Sequence, residues 1–192
     1  MRTRQVTSVF WLFAASTSLL AGTIAVQPSA PTVTVGQTFT LSVDISGAAD
    51  LYAYQFDLGF DPTVLQAISV TEGAFLGTGG PTIFLPGTID NVGGSITFNA
   101  DILNGAVSGV NGSGDLLDVT FQALAVGSSG VQIFNLIALD SFGLGQDETT
   151  AGSTVTVSAS SVPEPETGLL LAAGMVGLFA LLRLRPSRSA SS

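Results

Sequence analysis

Carboxylates are the main side chains with which residues 26–160 could carry out chemistry. The chain has 14 Asp and Glu residues, of which twelve lie in this region and two, Glu164 and Glu166, follow it. All five basic residues are arginines outside the region, and the chain contains no His and no Cys. A serine or threonine nucleophile therefore lacks a His or Lys base, and no thiolate or zinc-binding imidazole is available.

Two kinds of chemistry remain open to the carboxylates. A pair of carboxyl groups can catalyse glycoside hydrolysis, but no motif in the sequence builds a pocket around such a pair, so we predict no catalytic residue and no enzyme. Oxygen ligands can also bind calcium, and Asp147-Glu148 and Asp90-Asn91 are the candidate positions. Solvated acidic loops explain both pairs more simply. We therefore predict no metal site and no cofactor, with calcium as the one alternative.

The charge of this region restricts its partners. Twelve acids without a single Lys, Arg or His give it a formal charge of about −12. Binding to nucleic acid is excluded, because phosphate neutralisation requires Lys or Arg. The same charge argues against an anionic lipid surface. A protein partner is expected to present Lys or Arg, or to bring calcium.

The region that carries these carboxylates has the pattern of a β-protein. Turns rich in Gly, Pro and Asn separate short stretches in which apolar and polar residues alternate, as expected for half-buried strands. The clearest stretches are 37–45, 51–60, 96–101, 117–123 and 154–157. We predict an all-β fold, a single antiparallel β-sandwich of jelly-roll type over residues 26–158, with seven to nine strands. Without Cys, packing alone must hold it together.

The alternation also assigns side chains to the inside and the outside of the sandwich. The predicted core includes Phe56, Phe60, Phe98, Val119 and Phe121. Tyr52 and Tyr54 share the parity of Phe56, which favours core tyrosines over the alternative of a sugar-stacking platform. The opposite parity places Ala53, Gln55 and Asp57 on the outer face.

Both ends of the chain have the pattern of targeting segments. Arg2 and Arg4 precede an apolar stretch, so residues 1–25 are predicted to be a secretory signal peptide cleaved after Ala25, with Ala21 or Gly22 as alternatives. Residues 159–167 form a linker that contains Val162, Pro163, Glu164 and Pro165.

An apolar segment and a basic tip follow the linker. Residues 168–182 reach about 22 Å as a helix, whereas a bilayer core is about 30 Å thick. We therefore predict a transmembrane helix over 168–184 and a cytoplasmic tip over 185–192. By the positive-inside rule, Arg183, Arg185 and Arg188 remain in the cytoplasm and the preceding domain lies outside the membrane.

Residues in the domain resemble those of the cohesin family. The resemblance rests on Val33-Thr-Val-Gly-Gln-Thr-Phe39, on Phe60-Asp-Pro-Thr-Val-Leu65 with the strand before it, and on Gly114-Asp-Leu-Leu-Asp-Val-Thr-Phe121. It implies a nine-stranded jelly roll, related in fold to cellulose-binding modules, that binds a partner protein such as a dockerin on one sheet face. It also implies that the outward residues just before Phe56 contact the partner. With the parity above, the candidate partner face is Ala53, Gln55 and Asp57.

The C-terminal tail resembles the PEP-CTERM sorting signal. The resemblance lies in Pro163-Glu164-Pro165, the apolar segment and the arginine cluster. It implies processing by an exosortase-type enzyme in a Gram-negative bacterium, with the domain first held at the inner membrane and then released to the cell surface or extracellular matrix. Two functions remain open: non-catalytic protein interaction, and a carbohydrate-binding module that retains exopolysaccharide.

Overall fold

The computed structural model describes residues 22–160 and, in the C-terminal tail, Met175 and Phe179. Residues 22–160 form two β-sheets that pack face to face, with one short 3₁₀ turn at Leu76–Thr78. The described residues contain thirteen strands: β1 (Thr23–Pro28), β2 (Thr32–Thr34), β3 (Thr38–Leu51), β4 (Ala53–Gly59), β5 (Leu65–Glu72), β6 (Thr82–Leu85), β7 (Thr88–Asp90), β8 (Ser95–Leu103), β9 (Val110–Ala123), β10 (Gly127–Leu139), β11 (Gly145–Gln146), β12 (Thr149–Ala151) and β13 (Ser153–Ser158).

The two sheets differ in size. The five-stranded sheet has the order β12-β1-β3-β9-β5. The eight-stranded sheet has the order β2-β13-β10-β4-β8-β6, with β11 paired to β10 and β7 paired to β8. Pairing is antiparallel except between β1 and β12 and between β2 and β13. The predicted all-β sandwich is thus confirmed, with two short parallel pairings added at its edges.

Aromatic side chains fill the space between the sheets. Phe121 is fully buried, with its ring centroid 5.9 Å from that of Phe39 and 5.2 Å from that of Phe60. Tyr54 stacks on Phe56 at 5.5 Å, and its hydroxyl donates a hydrogen bond to the Leu116 carbonyl oxygen at 2.7 Å. Tyr54 is therefore a core residue, as the alternation predicts, because its ring is buried and its one polar atom is satisfied.

Phe98 is not in the core, and its predicted burial is wrong. Its backbone has φ = 62°, and the pairing of β4 with β8 shifts register between Phe56 and Leu58. This bulge reverses the alternation beyond Ile96, so Phe98 is 55 % exposed and Asn99 is fully buried. The Asn99 side-chain amide donates hydrogen bonds to the Phe56 and Ile96 carbonyl oxygens and accepts one from the Gly87 N–H.

The first strand begins before the main predicted cleavage point. Thr23, Ile24 and Ala25 pair with β3 on one side and with β12 on the other. Ile24 is fully buried in the core. Cleavage after Ala25 would remove half of β1, whereas cleavage after Ala21 or Gly22 would leave it whole.

Most of the targeting segments lie outside the described residues. This applies to residues 1–21, to Val162, Pro163, Glu164 and Pro165, and to the three tail arginines. Of the predicted transmembrane segment, Met175 and Phe179 are described, and both are helical and exposed. Among the residues that the structure describes, no helix is long and apolar enough to span a membrane.

Candidate functional site

The outer face of the eight-stranded sheet carries large exposed apolar side chains. The pairing of β6 with β8 places Ile83 beside Ile102, and the pairing of β10 with β4 places Ile137 beside Gln55. Six such residues, which we term the apolar face, are each 40–55 % exposed: Ile83, Leu85, Phe98, Ile102, Phe134 and Ile137. Between the aliphatic members is a shallow depression of about 300 Å³ floored by Ala53, Gln55 and Ala100.

Asp57 fixes the backbone next to Phe98 and Phe134, the two aromatic residues of the apolar face. Its Oδ1 accepts a hydrogen bond from the Phe98 N–H at 2.7 Å, and its Oδ2 accepts one from Asn135 Nδ2 at 2.7 Å. Asn135 has φ = 51° and lies where the pairing of β10 with β4 shifts register. Asp57 therefore joins two bulges on the strands that flank it. These bulges project Phe98 and Phe134 from the sheet.

Gly59 makes room for one of these aromatic rings. A Cβ atom at Gly59 would lie 2.6 Å from Cε2 of Phe134, so the Phe134 ring extends over β4. Any larger residue at this position would displace the ring. Gly59 therefore contributes to the apolar face because it leaves room for the Phe134 ring.

The three predicted partner residues differ in how far their side chains are exposed and bonded. Ala53 is only 7 % exposed and Gln55 is half-buried, so both form the floor of the depression. Asp57 has both oxygens engaged within the sheet, so its role is to position neighbours. Sequence parity missed the apolar face because Ile83-Phe84-Leu85 and Ile133-Phe134 contain no polar residue that would mark the outer side. A continuous apolar run does indicate a strand, but it predicts a strand that is buried on both faces.

The positions considered for calcium have internal partners or few ligands. Asp90 Oδ1 accepts hydrogen bonds from the Val92 and Gly93 N–H groups, both at 2.9 Å, and these bonds lower its pKa. Asn91 bonds to both the N–H and the carbonyl oxygen of Ala67. Asp147 is exposed, and burial raises the pKa of Glu148. Within the described residues, no group of three or more acidic side chains has metal-binding geometry.

Two other carboxyl groups have strongly perturbed acidity. Burial, followed by the negative charge of Glu72, raises the pKa of Asp101 to about 7. Burial, followed by the charges of Asp118 and Asp44, raises the pKa of Asp115 to about 6. Both groups are therefore protonated in the folded protein at a pH at which they would ionise in an unfolded chain.

The stability of the domain should fall as the pH rises from about 4 to about 7. In that window the folded state keeps protons on Asp101 and Asp115 that the unfolded chain, with an ordinary pKa of 3.8 for Asp, has released. Melting temperatures in metal-free buffer at pH 4.5, 6 and 8 test this, and Asp101→Asn should flatten the trend. A wild-type melting temperature that rises towards neutral pH would contradict it.

These features define a class of protein. The chain carries a β-sandwich with large apolar side chains exposed on the outer face of one sheet. The family model of the cohesin domain matches residues 24–163, and the chain belongs to the cohesin-domain family. The resemblance noted in the sequence is thereby confirmed. Cohesin domains are non-catalytic modules that mediate protein–protein interaction.

Solved structures share this fold at low sequence identity. A non-cellulosomal cohesin from the archaeon Archaeoglobus fulgidus is 17 % identical with a TM-score of 0.58, and the match covers 78 % of this chain and 97 % of that one. The sixth cohesin of scaffoldin B from Acetivibrio cellulolyticus, solved in complex with a Cel5 dockerin mutant, is 15 % identical with a TM-score of 0.59, covering 72 % and 99 %. A search of curated proteins found no match.

Proposed function

We propose that this protein is exported and membrane-sorted, and that its cohesin domain binds another protein through the apolar face. The observation that carries the proposal is the set of six large apolar side chains on one sheet face, each 40–55 % exposed. Soluble domains rarely expose a contiguous apolar surface of this kind unless it serves binding. The depression of about 300 Å³ is at the lower limit of small-molecule pockets, so the exposed apolar side chains around it suit a macromolecular surface better than a small ligand.

The partner should combine an apolar patch with a basic surround. The described residues include twelve acids and no Lys, Arg or His, whereas the six exposed side chains of the apolar face are uncharged and Asp57 beside them is bonded within the sheet. Apolar contacts would then supply affinity, and the acidic surround would speed association with a basic partner. Dockerins are the partners of relatives such as the Acetivibrio cohesin above, and a protein of that kind is one candidate.

Polysaccharide binding is the second candidate, and one observation favours it. Phe98 and Phe134 are both more than half exposed. They lie on β8 and β10, the two strands that flank β4, and the backbones of these strands are about 10 Å apart. Exposed aromatic rings can stack on sugars. The two tyrosines do not add to such a platform, because Tyr54 is buried and the Tyr52 hydroxyl donates to the Gly105 carbonyl oxygen at 2.6 Å.

A matched pair of variants separates these functions from adventitious adhesion. The variant Ile83→Ser/Ile137→Ser removes two side chains of the apolar face that are each 51 % exposed, and Ile68→Ser removes one of equal exposure on the five-stranded sheet. Each protein is immobilised and exposed to envelope extract at two salt concentrations. A second, soluble sample of each protein is run on a polysaccharide affinity gel. We expect a protein that binds wild type and Ile68→Ser, is lost with the double variant, and binds more slowly at high salt. Retardation on the gel without a salt-sensitive protein partner would reject protein binding.

Sorting is proposed from the two ends of the sequence. A signal peptide cleaved after Ala21 or Gly22 would preserve β1, and the PEP-CTERM-like tail would hold the domain outside the inner membrane of a Gram-negative bacterium. The apolar segment 168–184 would span the membrane, and an exosortase-type enzyme would then process the chain near Pro163-Glu164-Pro165. The product would reach the cell surface or extracellular matrix.

Intact mass of the protein from its native host checks this sorting. We expect a chain that begins at Gly22 or Thr23 and lacks the arginine tip. The tip would be absent only if the tail is processed, so an unprocessed C-terminus through Ser192 in an exosortase-positive host would contradict the proposal. A chain that begins at Val26 would show that half of β1 is dispensable.

A further inference from the structure

A pair of carboxyl groups joins the two sheets at one edge of the sandwich. Glu72 ends β5 of the five-stranded sheet, and Asp101 lies in β8 of the eight-stranded sheet. Phe84 of edge strand β6 pairs with Asp101, and Thr82 lies two residues before Phe84 on the same face of that strand. The Thr82 hydroxyl, on edge strand β6, donates a hydrogen bond to Glu72. Three oxygen-bearing side chains from three strands therefore converge at this edge.

Asp101 is the buried member of the group, and it is incompletely satisfied. The residue is 2 % exposed, and its Oδ1 accepts a hydrogen bond from the Ile102 N–H at 2.8 Å. Its Oδ2 is buried with no hydrogen-bond donor. A buried carboxylate oxygen without a partner is costly, and more so beside a second carboxylate.

No side chain of the described domain can neutralise this pair. Residues 22–160 contain no Lys, Arg or His. The ionisable group beside the pair is Tyr54, whose pKa is raised first by burial and then by the negative charges of Asp101, Glu72 and Asp115. None of these groups supplies a positive charge, so a cation for the pair must come from solution.

We propose that Glu72 and Asp101 bind a divalent cation of the calcium class, which links the two sheets at this edge. Calcium prefers carboxylate, hydroxyl and carbonyl oxygens, and both Asp101 Oδ2 and the exposed Glu72 carboxylate are oxygens of that type. Two carboxylates and one hydroxyl are fewer than the usual calcium shell, so water completes it. We expect an affinity of about 0.1–1 mM, as in extracellular calcium modules. The site does not depend on partner binding.

Thermal unfolding of the full-length protein tests the site with calcium alone as the ligand. Because the ion binds the folded state, 10 mM CaCl2 should raise the wild-type melting temperature by about 5–9 °C over EDTA at pH 7.5. Asp101→Asn and Glu72→Gln should each abolish most of that rise. Glu72 is exposed, so Glu72→Gln keeps the test valid if Asp101→Asn fails to fold. The matched control is Asp147→Asn, an exposed acid remote in sequence, which should keep the full rise.

Each other outcome overturns the proposal. A wild-type melting temperature that is indifferent to calcium but rises on acidification would mean that the carboxyl pair shares a proton and binds no ion. A calcium shift that survives in Glu72→Gln and disappears in Asp147→Asn would place the ion at Asp147-Glu148 instead. Calorimetric titration of the wild type should show one site per chain, and its absence would also refute the assignment.

Discussion

Phe121→Ala should destabilise the domain by about 3–5 kcal/mol, a large part of the roughly 5–15 kcal/mol by which a domain is ordinarily stable. The ring is fully buried and contacts Phe39 from its own sheet and Phe60 from the region that leads out of β4. Removing it leaves a cavity that neither partner ring can fill without moving. Chemical denaturation followed by circular dichroism would measure the loss.

Phe98→Ala provides the matched control for this substitution. Phe98 is 55 % exposed at a bulge on the outer face, so its removal should change the stability of the fold far less than Phe121→Ala. Equal losses for the two variants, or an unchanged melting temperature for Phe121→Ala, would contradict the assigned strand register.

Asn99→Ala should destabilise the domain by about 3 kcal/mol, although the side chain is polar. The amide is fully buried and serves the carbonyl oxygens of Phe56 and Ile96 and the N–H of Gly87. Each buried backbone group that loses its partner costs about 1–3 kcal/mol. The same amide fixes the bulge that turns Phe98 outwards, so the variant should also disturb the apolar face.

The exposed Asn104 in the turn after β8 is the control for Asn99. Asn104→Ala should leave the melting temperature within the small range of surface substitutions. If Asn99→Ala is equally harmless, then the inward orientation of Asn99 is wrong and the predicted alternation of β8 would be restored.

The fold could be predicted from the alternation of apolar and polar residues, because most of the longer strands have one buried and one solvent-exposed face. In β9, for example, Leu117, Val119 and Phe121 are buried while the polar residues between them are partly exposed. A period of two carries this information directly. The prediction of seven to nine strands falls short of the thirteen in the described residues, because the strands of two to four residues are too short to show a period: β2, β6, β7, β11 and β12. The longer strands β1, β5 and β10 are also not among the stretches that the alternation predicts.

Bulges explain where the sequence misleads. One extra residue at Phe98 exchanges inside and outside for the rest of β8, so Asn99 and Asp101 are buried although polarity predicts them exposed. Such a bulge depends on hydrogen bonds from distant residues, here Asp57 on β4, which local pattern does not reveal.

The candidate site was partly predictable. Parity on β4 places Ala53 and Gln55 on the correct side of the sheet, but the side chains with the largest exposed area come from β6, β8 and β10. Their grouping depends on strand order, which is a tertiary property. Parity predicts that Asp57 is on the outer face, but it does not reveal that both of its carboxylate oxygens accept hydrogen bonds from the neighbouring strands.

Equilibrium binding of the captured partner tests the central claim most directly. Titration of the purified partner against wild type, Ile83→Ser/Ile137→Ser and Ile68→Ser gives three dissociation constants under one set of conditions. We predict at least a tenfold weaker constant for the double variant, or about 1.4 kcal/mol, and an unchanged constant for Ile68→Ser, with all three proteins folded. Equal affinity of the wild type and the double variant would show that the apolar face is not the binding surface.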